Sequence, residues 1–168
     1  MRVSPIATRL IALLLAAALV SGCAGRSATE EEQDEFEGVA EQQLYDEARD
    51  ALEDGRYTTA ISRLEAIDTR YPFGRHAEQA QLELIYAYYE TNDWEATRAA
   101  ASRFIRLHPT HPQADYALYM RGLASWQAGR FSLERLRLID ISKRDLGASR
   151  DAYTDFRELV SRYPASEY

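Results

Sequence analysis

The chain resembles itself at an offset of 37 residues, and nothing else in it restricts the possible folds so strongly. Gly55, Asn92 and Gly129 stand 37 apart, and so do Tyr57, Trp94 and Phe131. Ala48, Ile85 and Gly122 keep the same offset, as do Pro72 and Pro109. Gly or Asn past the end of a helix suits the left-handed cap position, and the aromatic two residues on opens a second helix. The pattern predicts helix–turn–helix units with first helices at about Glu41–Glu53, Ala77–Glu90 and Gln113–Ala128. The second helices fall at about Tyr57–Arg70, Trp94–Leu107 and Ser149–Arg162. Hairpins this short cannot bury their apolar faces alone and must stack on one another. The fold class is therefore all-α: a helical-hairpin solenoid of about three repeats over residues 40–168, divided at about 41–76, 77–112 and 113–168.

The third unit breaks the period. Its closing Pro164 follows Pro109 by 55 residues, which leaves 18 extra residues at about Ser132–Ser149. Leu133, Leu136, Leu138, Ile139 and Ile141 make this insertion too apolar for an idle solvated loop. It is either a capping segment folded on its own repeat or a partner-contact loop.

Ahead of the repeats, Arg2 and Arg9 precede an apolar run from Leu10 to Val20. Its eleven residues would rise roughly 16 Å as a helix, about half of a bilayer's hydrocarbon core, so a signal-peptide core fits better than a permanent span. Val20-Ser21-Gly22-Cys23 resembles the bacterial lipobox, an aliphatic residue and two small ones before a cysteine that takes a diacylglyceryl group. Residues 1–22 are thus expected to be a lipoprotein signal peptide and Cys23 the lipidation site, with Ala24 implying sorting to the outer membrane. Residues 23–39 then form an anchored, acidic tether carrying Glu30, Glu31, Glu32, Asp34, Glu35 and Glu37, extended by self-repulsion.

Charge narrows the partners. The net charge is −7, and removing residues 1–22 takes away Arg2 and Arg9 and no acid, leaving 18 basic against 27 acidic residues, or −9. That balance repels phosphate backbones and argues against nucleic acid. The lone cysteine excludes a disulfide framework and any multi-cysteine metal site. No Gly-rich phosphate loop or nucleophile signature is present, so no catalytic residue and no cofactor beyond the lipid is expected. His108 and His111 flank prolines in a turn with no clear third ligand; ending one helix and starting the next is a sufficient role.

Small residues at Ala48, Gly122, Ala60 and Ala152, an aromatic opening the second helix and a closing proline resemble the tetratricopeptide repeat. Longer motifs narrow the match: Arg70-Tyr71-Pro72-Phe73-Gly74, Tyr86-Ala87-Tyr88-Tyr89 and Arg103-Phe104-Ile105-Arg106-Leu107-His108-Pro109-Thr110-His111-Pro112. Asp115-Tyr116-Ala117-Leu118-Tyr119 and Phe156-Arg157-Glu158-Leu159-Val160 follow. With the lipobox they resemble the BamD family, the lipoproteins of the outer-membrane β-barrel assembly machinery. The resemblance implies a non-catalytic scaffold, lipid-anchored to the outer membrane and facing the periplasm. Its implied partners are BamA, accessory lipoproteins and unfolded β-barrel precursors. The alternative is a repeat lipoprotein acting as an adaptor in cell-envelope synthesis or division. The family usually carries about five repeats, so a chain stopping at Tyr168 is expected to be an amino-terminal portion without the carboxy-terminal repeats that carry much of the BamA contact.

In such arrays the first helices line the concave face. The family's groove positions transfer to Gln42, Tyr45, Arg49 and Leu52, to Gln79, Leu82, Tyr86 and Tyr89, and to Tyr116, Tyr119, Leu123 and Trp126. The leucines are expected in the core. Tyr45, Arg49, Gln79, Tyr86, Tyr89, Tyr116, Tyr119 and Trp126 are the candidate peptide groove, its aromatics serving as groove wall or as core between repeats.

Overall fold

The computed structural model describes Phe36 and residues 38–134 and 146–168. The signal segment, Cys23, the acidic stretch before Phe36 and the middle of the insertion lie outside the described residues. Six helices follow in order: α1 Glu41–Glu53, α2 Tyr57–Arg70, α3 Ala77–Glu90, α4 Trp94–Leu107, α5 Ala114–Glu134 and α6 Gly147–Arg162. Each packs on the next, and α3 also packs on α5, so the first helices of the second and third hairpins are neighbours.

Local chemistry places the first two hairpin turns where the sequence puts them. Gly55 (φ +69) and Asn92 (φ +61) are left-handed. Past each, the chain closes the helix end by a pair of reverse hydrogen bonds. Arg56 N donates to Ala51 O at 2.8 Å and Gly55 N to Leu52 O at 3.1 Å, and Asp93 N and Asn92 N repeat this on Tyr88 O and Tyr89 O. Asp93 then caps α4, its Oδ1 accepting from Ala96 N at 3.0 Å.

The third hairpin differs from expectation. α5 does not end near Ala128; it runs through Gly129 and Phe131 to Glu134, and Gly129 is not a left-handed cap. With 18 extra residues in the connection, no tight turn is forced at that point, and the helix continues. Gly129 is small for another reason: a Cβ there would stand 3.2 Å from Ser149 Oγ and 3.6 Å from Ala148 Cβ, at the approach of α6. Gly122 likewise admits Phe156, whose ring would lie 2.8 Å from an added Cβ. α6 begins at Gly147, two residues before the expected Ser149.

The core follows the small-residue positions. Ala48 and Ala60 are fully buried between α1 and α2, and Ala152 is buried against α5. Between the second and third repeats Leu82, Ile85, Ala101, Phe104, Ala117 and Met120 form one apolar cluster. Phe104, 1% exposed, is its largest member. The polar groups enclosed beside it are paired: Asp68 accepts from Arg103 and from Gln81, and Thr97 Oγ1 donates to Asp93 O. On α6, buried Asp155 accepts from Arg121 Nε at 2.9 Å and from Ser125.

One polar contact recurs with the sequence period. Glu41, Glu78 and Asp115 stand 37 residues apart at the start of successive first helices. Each carboxylate reaches the loop that closes its own repeat. Glu41 Oε1 accepts from His76 N at 2.6 Å. Glu78 lies 3.3 Å from His108 Nδ1 and 3.6 Å from His111 Nε2. Asp115 Oδ2 accepts from Ser166 Oγ at 2.7 Å. The Glu78 contacts are partly exposed ion pairs, which add little stability; those of Glu41 and Asp115 are part-buried hydrogen bonds that tie each loop to the start of its repeat.

Candidate functional site

Side chains join α1 to α3 through Tyr45 and Glu83 and α3 to α5 through Tyr89 and Gln127, and the transferred positions lie on these three helices. At the α1 end, Glu83 of α3 gathers three of them. Its Oε1 accepts from Tyr45 Oη at 3.0 Å and from Gln79 Nε2 at 3.0 Å, and Arg49 Nη1 lies 3.9 Å away. Arg49 is shared with Glu53, 3.4 Å distant on the same helix. Glu83 is largely buried, and its Oε2 has no hydrogen-bond partner.

The middle of the face is aromatic. Tyr86, 38% exposed, meets Tyr57 edge to face at 5.9 Å. Its phenol is pushed up to about 12, first by its hydrogen bond with Tyr57, then by burial and by the charge of Glu90. Tyr116 is pushed well above the ordinary phenol value, chiefly by burial, with Tyr168, Tyr86, Glu83 and Glu90 adding to it. Tyr119 stacks on Tyr168 at 5.3 Å and tilts against Phe156 at 6.2 Å. The same stack appears at the opposite end of the array, where Tyr45 lies 4.2 Å from the ring of His76. His76 and Tyr168 each come four residues after the closing proline of their repeat, so the two stacks are one motif used twice.

At the far end, Tyr89 meets Trp94 edge to face at 5.2 Å and its hydroxyl accepts from Gln127 at 3.2 Å. Trp126 is 46% exposed and carries the Arg130 guanidinium 4.9 Å from its ring centroid. The aromatics divide between core-facing and outward-facing settings. Tyr89, Tyr116 and Tyr119 rest their inner faces on the apolar cluster around Phe104, whereas Tyr86 and Trp126 turn outward. Leu82 is buried in that cluster and Leu123 packs against it, while Leu52 is half-buried.

Three contributors were not among the transferred positions: Glu83, His76 and Tyr168. Glu83 carries the one signal that could have exposed it, an acid between Leu82 and Leu84-Ile85 in an otherwise apolar stretch. An acid there needs partners, and only the fold shows that they come from α1 as well as α3. His108 contacts Glu78 and Gln81 and His111 contacts Glu78, and both rings pack against Phe104, with ring centroids 5.0 and 5.2 Å from it. Among the described residues no three His, Cys, Asp or Glu side chains converge as metal ligands, and no helix is long and apolar enough to cross a membrane.

A tetratricopeptide-repeat family model matches residues 31–168. The chain is 44% identical over 155 residues to the outer membrane protein assembly factor BamD of Vibrio cholerae, covering 92% of this chain and 62% of that protein. It is 41% identical to the BamD of Neisseria meningitidis serogroup B, over 89% of this chain and 56% of the relative. The BamD of Xylella fastidiosa strain 9a5c is 35% identical over 96% of this chain and 54% of the relative. The chain therefore spans between 54% and 62% of the length of these curated relatives. With the hairpin array and its aromatic face, these matches establish that the chain belongs to the tetratricopeptide-repeat family and is similar over most of its length to outer membrane protein assembly factors BamD.

Proposed function

We propose that this protein is a non-catalytic scaffold in outer-membrane protein assembly, anchored by lipid at Cys23 and facing the periplasm. Its first-helix face would receive extended segments of unfolded β-barrel precursors, and its partners would be BamA and the accessory lipoproteins. The observation that carries this reading is the similarity of nearly the whole chain to proteins named as outer membrane assembly factors. The side chains of the face suit peptide binding, since phenols and an indole offer apolar area with a hydrogen-bonding edge at low entropic cost. Their positions on rigid helices spare the binding site much of the ordering that a flexible loop would require.

The test is affinity purification of the full-length protein from native outer membranes. BamA should co-purify; its absence would overturn the assembly reading and leave the envelope-synthesis adaptor in its place. Tyr86→Ala and Tyr119→Ala should weaken binding of an unfolded barrel segment while helical circular dichroism is retained. Normal binding by both variants places the groove elsewhere. For the anchor, Cys23→Ala should yield unprocessed or unanchored protein, and unchanged acylation and fractionation would refute it.

A further inference from the structure

We propose that the loop closing the first repeat, residues 71–75, rests on the phospholipid surface to which the chain is anchored, with the Phe73 ring at the boundary of headgroups and acyl chains and Arg75 on lipid phosphate. The inference rests on the lipid anchor proposed at Cys23 and adds the part of the fold that meets the bilayer.

The first observation is the exposure of an aromatic ring that the repeat does not require. Phe73 is 100% exposed, more than any other large apolar side chain among the described residues. Its turn is fixed from both sides: Gly74 N donates to Tyr71 O at 2.8 Å, and Glu41 holds His76 N at 2.6 Å. Thr110 and Ala165 occupy the matching place in the second and third closing loops, one residue after the proline. Arg75, also exposed, is matched by Pro112 and Glu167. An apolar tip beside a cation therefore belongs to the first loop alone, and the packing of the array gives no reason for it.

The second observation is where this loop is fastened. Tyr71 Oη donates to Val39 O at 2.7 Å, which bonds the loop to the segment that leads back to Cys23. Val39 stands sixteen residues after Cys23, a span of at most about 55 Å even when fully extended. Confinement by a short tether raises the effective concentration of a site to about the millimolar range. One ring and one guanidinium, too weak a contact to hold a free protein on a bilayer, then suffice.

The third observation is charge. After residue 22 the chain has nine more acids than bases, so most of its surface is repelled by anionic headgroups. Residues 69–77 hold Arg70 and Arg75 and no acid, and a guanidinium matches the geometry of phosphate oxygens.

The experiment uses the full-length lipidated protein with the photoreactive p-benzoylphenylalanine in place of Phe73, or in place of Thr110 as control. Each protein is reconstituted in vesicles of phosphatidylethanolamine and phosphatidylglycerol, recovered by flotation, irradiated and analysed by mass spectrometry. Position 73 should give a phospholipid adduct in about tenfold higher yield than position 110. Arg75→Glu should lower the adduct at position 73 roughly fivefold, with flotation and helical circular dichroism unchanged. In floated protein, equal yields at the two positions, no lipid adduct at position 73, a crosslink there to a second copy of the chain in place of lipid, or no loss on Arg75→Glu would each overturn the contact and leave the anchor standing. Failure to float overturns the anchor and the contact together.

Discussion

Phe104→Ala should be the most damaging single truncation in the second repeat. The ring is 1% exposed and sits among Leu82, Ile85, Ala101, Ala117 and Met120, contributed by α3, α4 and α5. His108 and His111 close its remaining sides at 5.0 and 5.2 Å. Truncating a buried Phe costs about 3–5 kcal/mol, of which the cavity is a large part. Here the histidine rings belong to a loop and can move partway into the space, which places the cost near the lower end, about 3–4 kcal/mol. For a folded unit of this size each kcal/mol lowers Tm by roughly 3–5 °C, giving a drop of roughly 10–20 °C. The loss falls on the contact between the second and third repeats, and solenoid stability is a sum of such nearest-neighbour terms. Urea unfolding should therefore broaden, with a lower apparent m-value, as the two parts of the array uncouple. The assay is thermal and urea denaturation followed by helical circular dichroism, with Leu107→Ala as control. Leu107 ends the same helix at 52% exposure and should cost no more than about 1 kcal/mol. A Phe104→Ala loss below about 1 kcal/mol, or no greater than that of Leu107→Ala, would refute the assignment of the cluster as the keystone of the joint.

Gly129→Ala should be nearly neutral in thermal denaturation, because about 1 kcal/mol of helix propensity offsets the 3.2 Å contact with Ser149 Oγ; Gly129→Val should instead cost about 1–3 kcal/mol by overpacking. A large loss from alanine would show that Gly129 needs a left-handed turn after all. Asp93→Ala removes the side-chain cap of α4 and should cost about 1 kcal/mol in urea denaturation; an unchanged midpoint would show the cap to be idle. Stability should also fall in alkali. Tyr86 is raised to about 12, and Tyr88 and Tyr116 are raised by burial first, so above the ordinary phenol value near 10 the folded chain holds protons that the unfolded chain has released. That contribution is fully present below about pH 10 and is lost as pH rises through the folded values. Urea midpoints read together with phenolate absorbance should show it, and a midpoint flat from about pH 9 to about 12 would contradict the raised phenols.

The first four helices were legible from local chemistry because their ends are decided locally. Gly55 and Asn92 adopt left-handed caps, Pro72 and Pro109 deny the following turn its helix, and small residues at Ala48 and Ala60 mark the crossing of α1 and α2. Such signals act within a few residues, and the 37-residue period multiplies them. The end of α5 was not legible, since a glycine and an aromatic at the right offset stop a helix only where the connection must turn back at once. The candidate face was legible as a set of positions but not as a site. Tyr86 and Tyr89 occupy neighbouring turns of α3, yet one turns outward and the other rests on the core. Glu83 has no motif at all: its importance comes from Tyr45, 38 residues earlier, which only the stacking of the first two hairpins brings to it. By itself the sequence determined the repeat, its caps and the chemistry available on the first helices. Which of those side chains share a surface was decided by the stacking of the hairpins, because distance between helices is set by packing and has no signature along the chain.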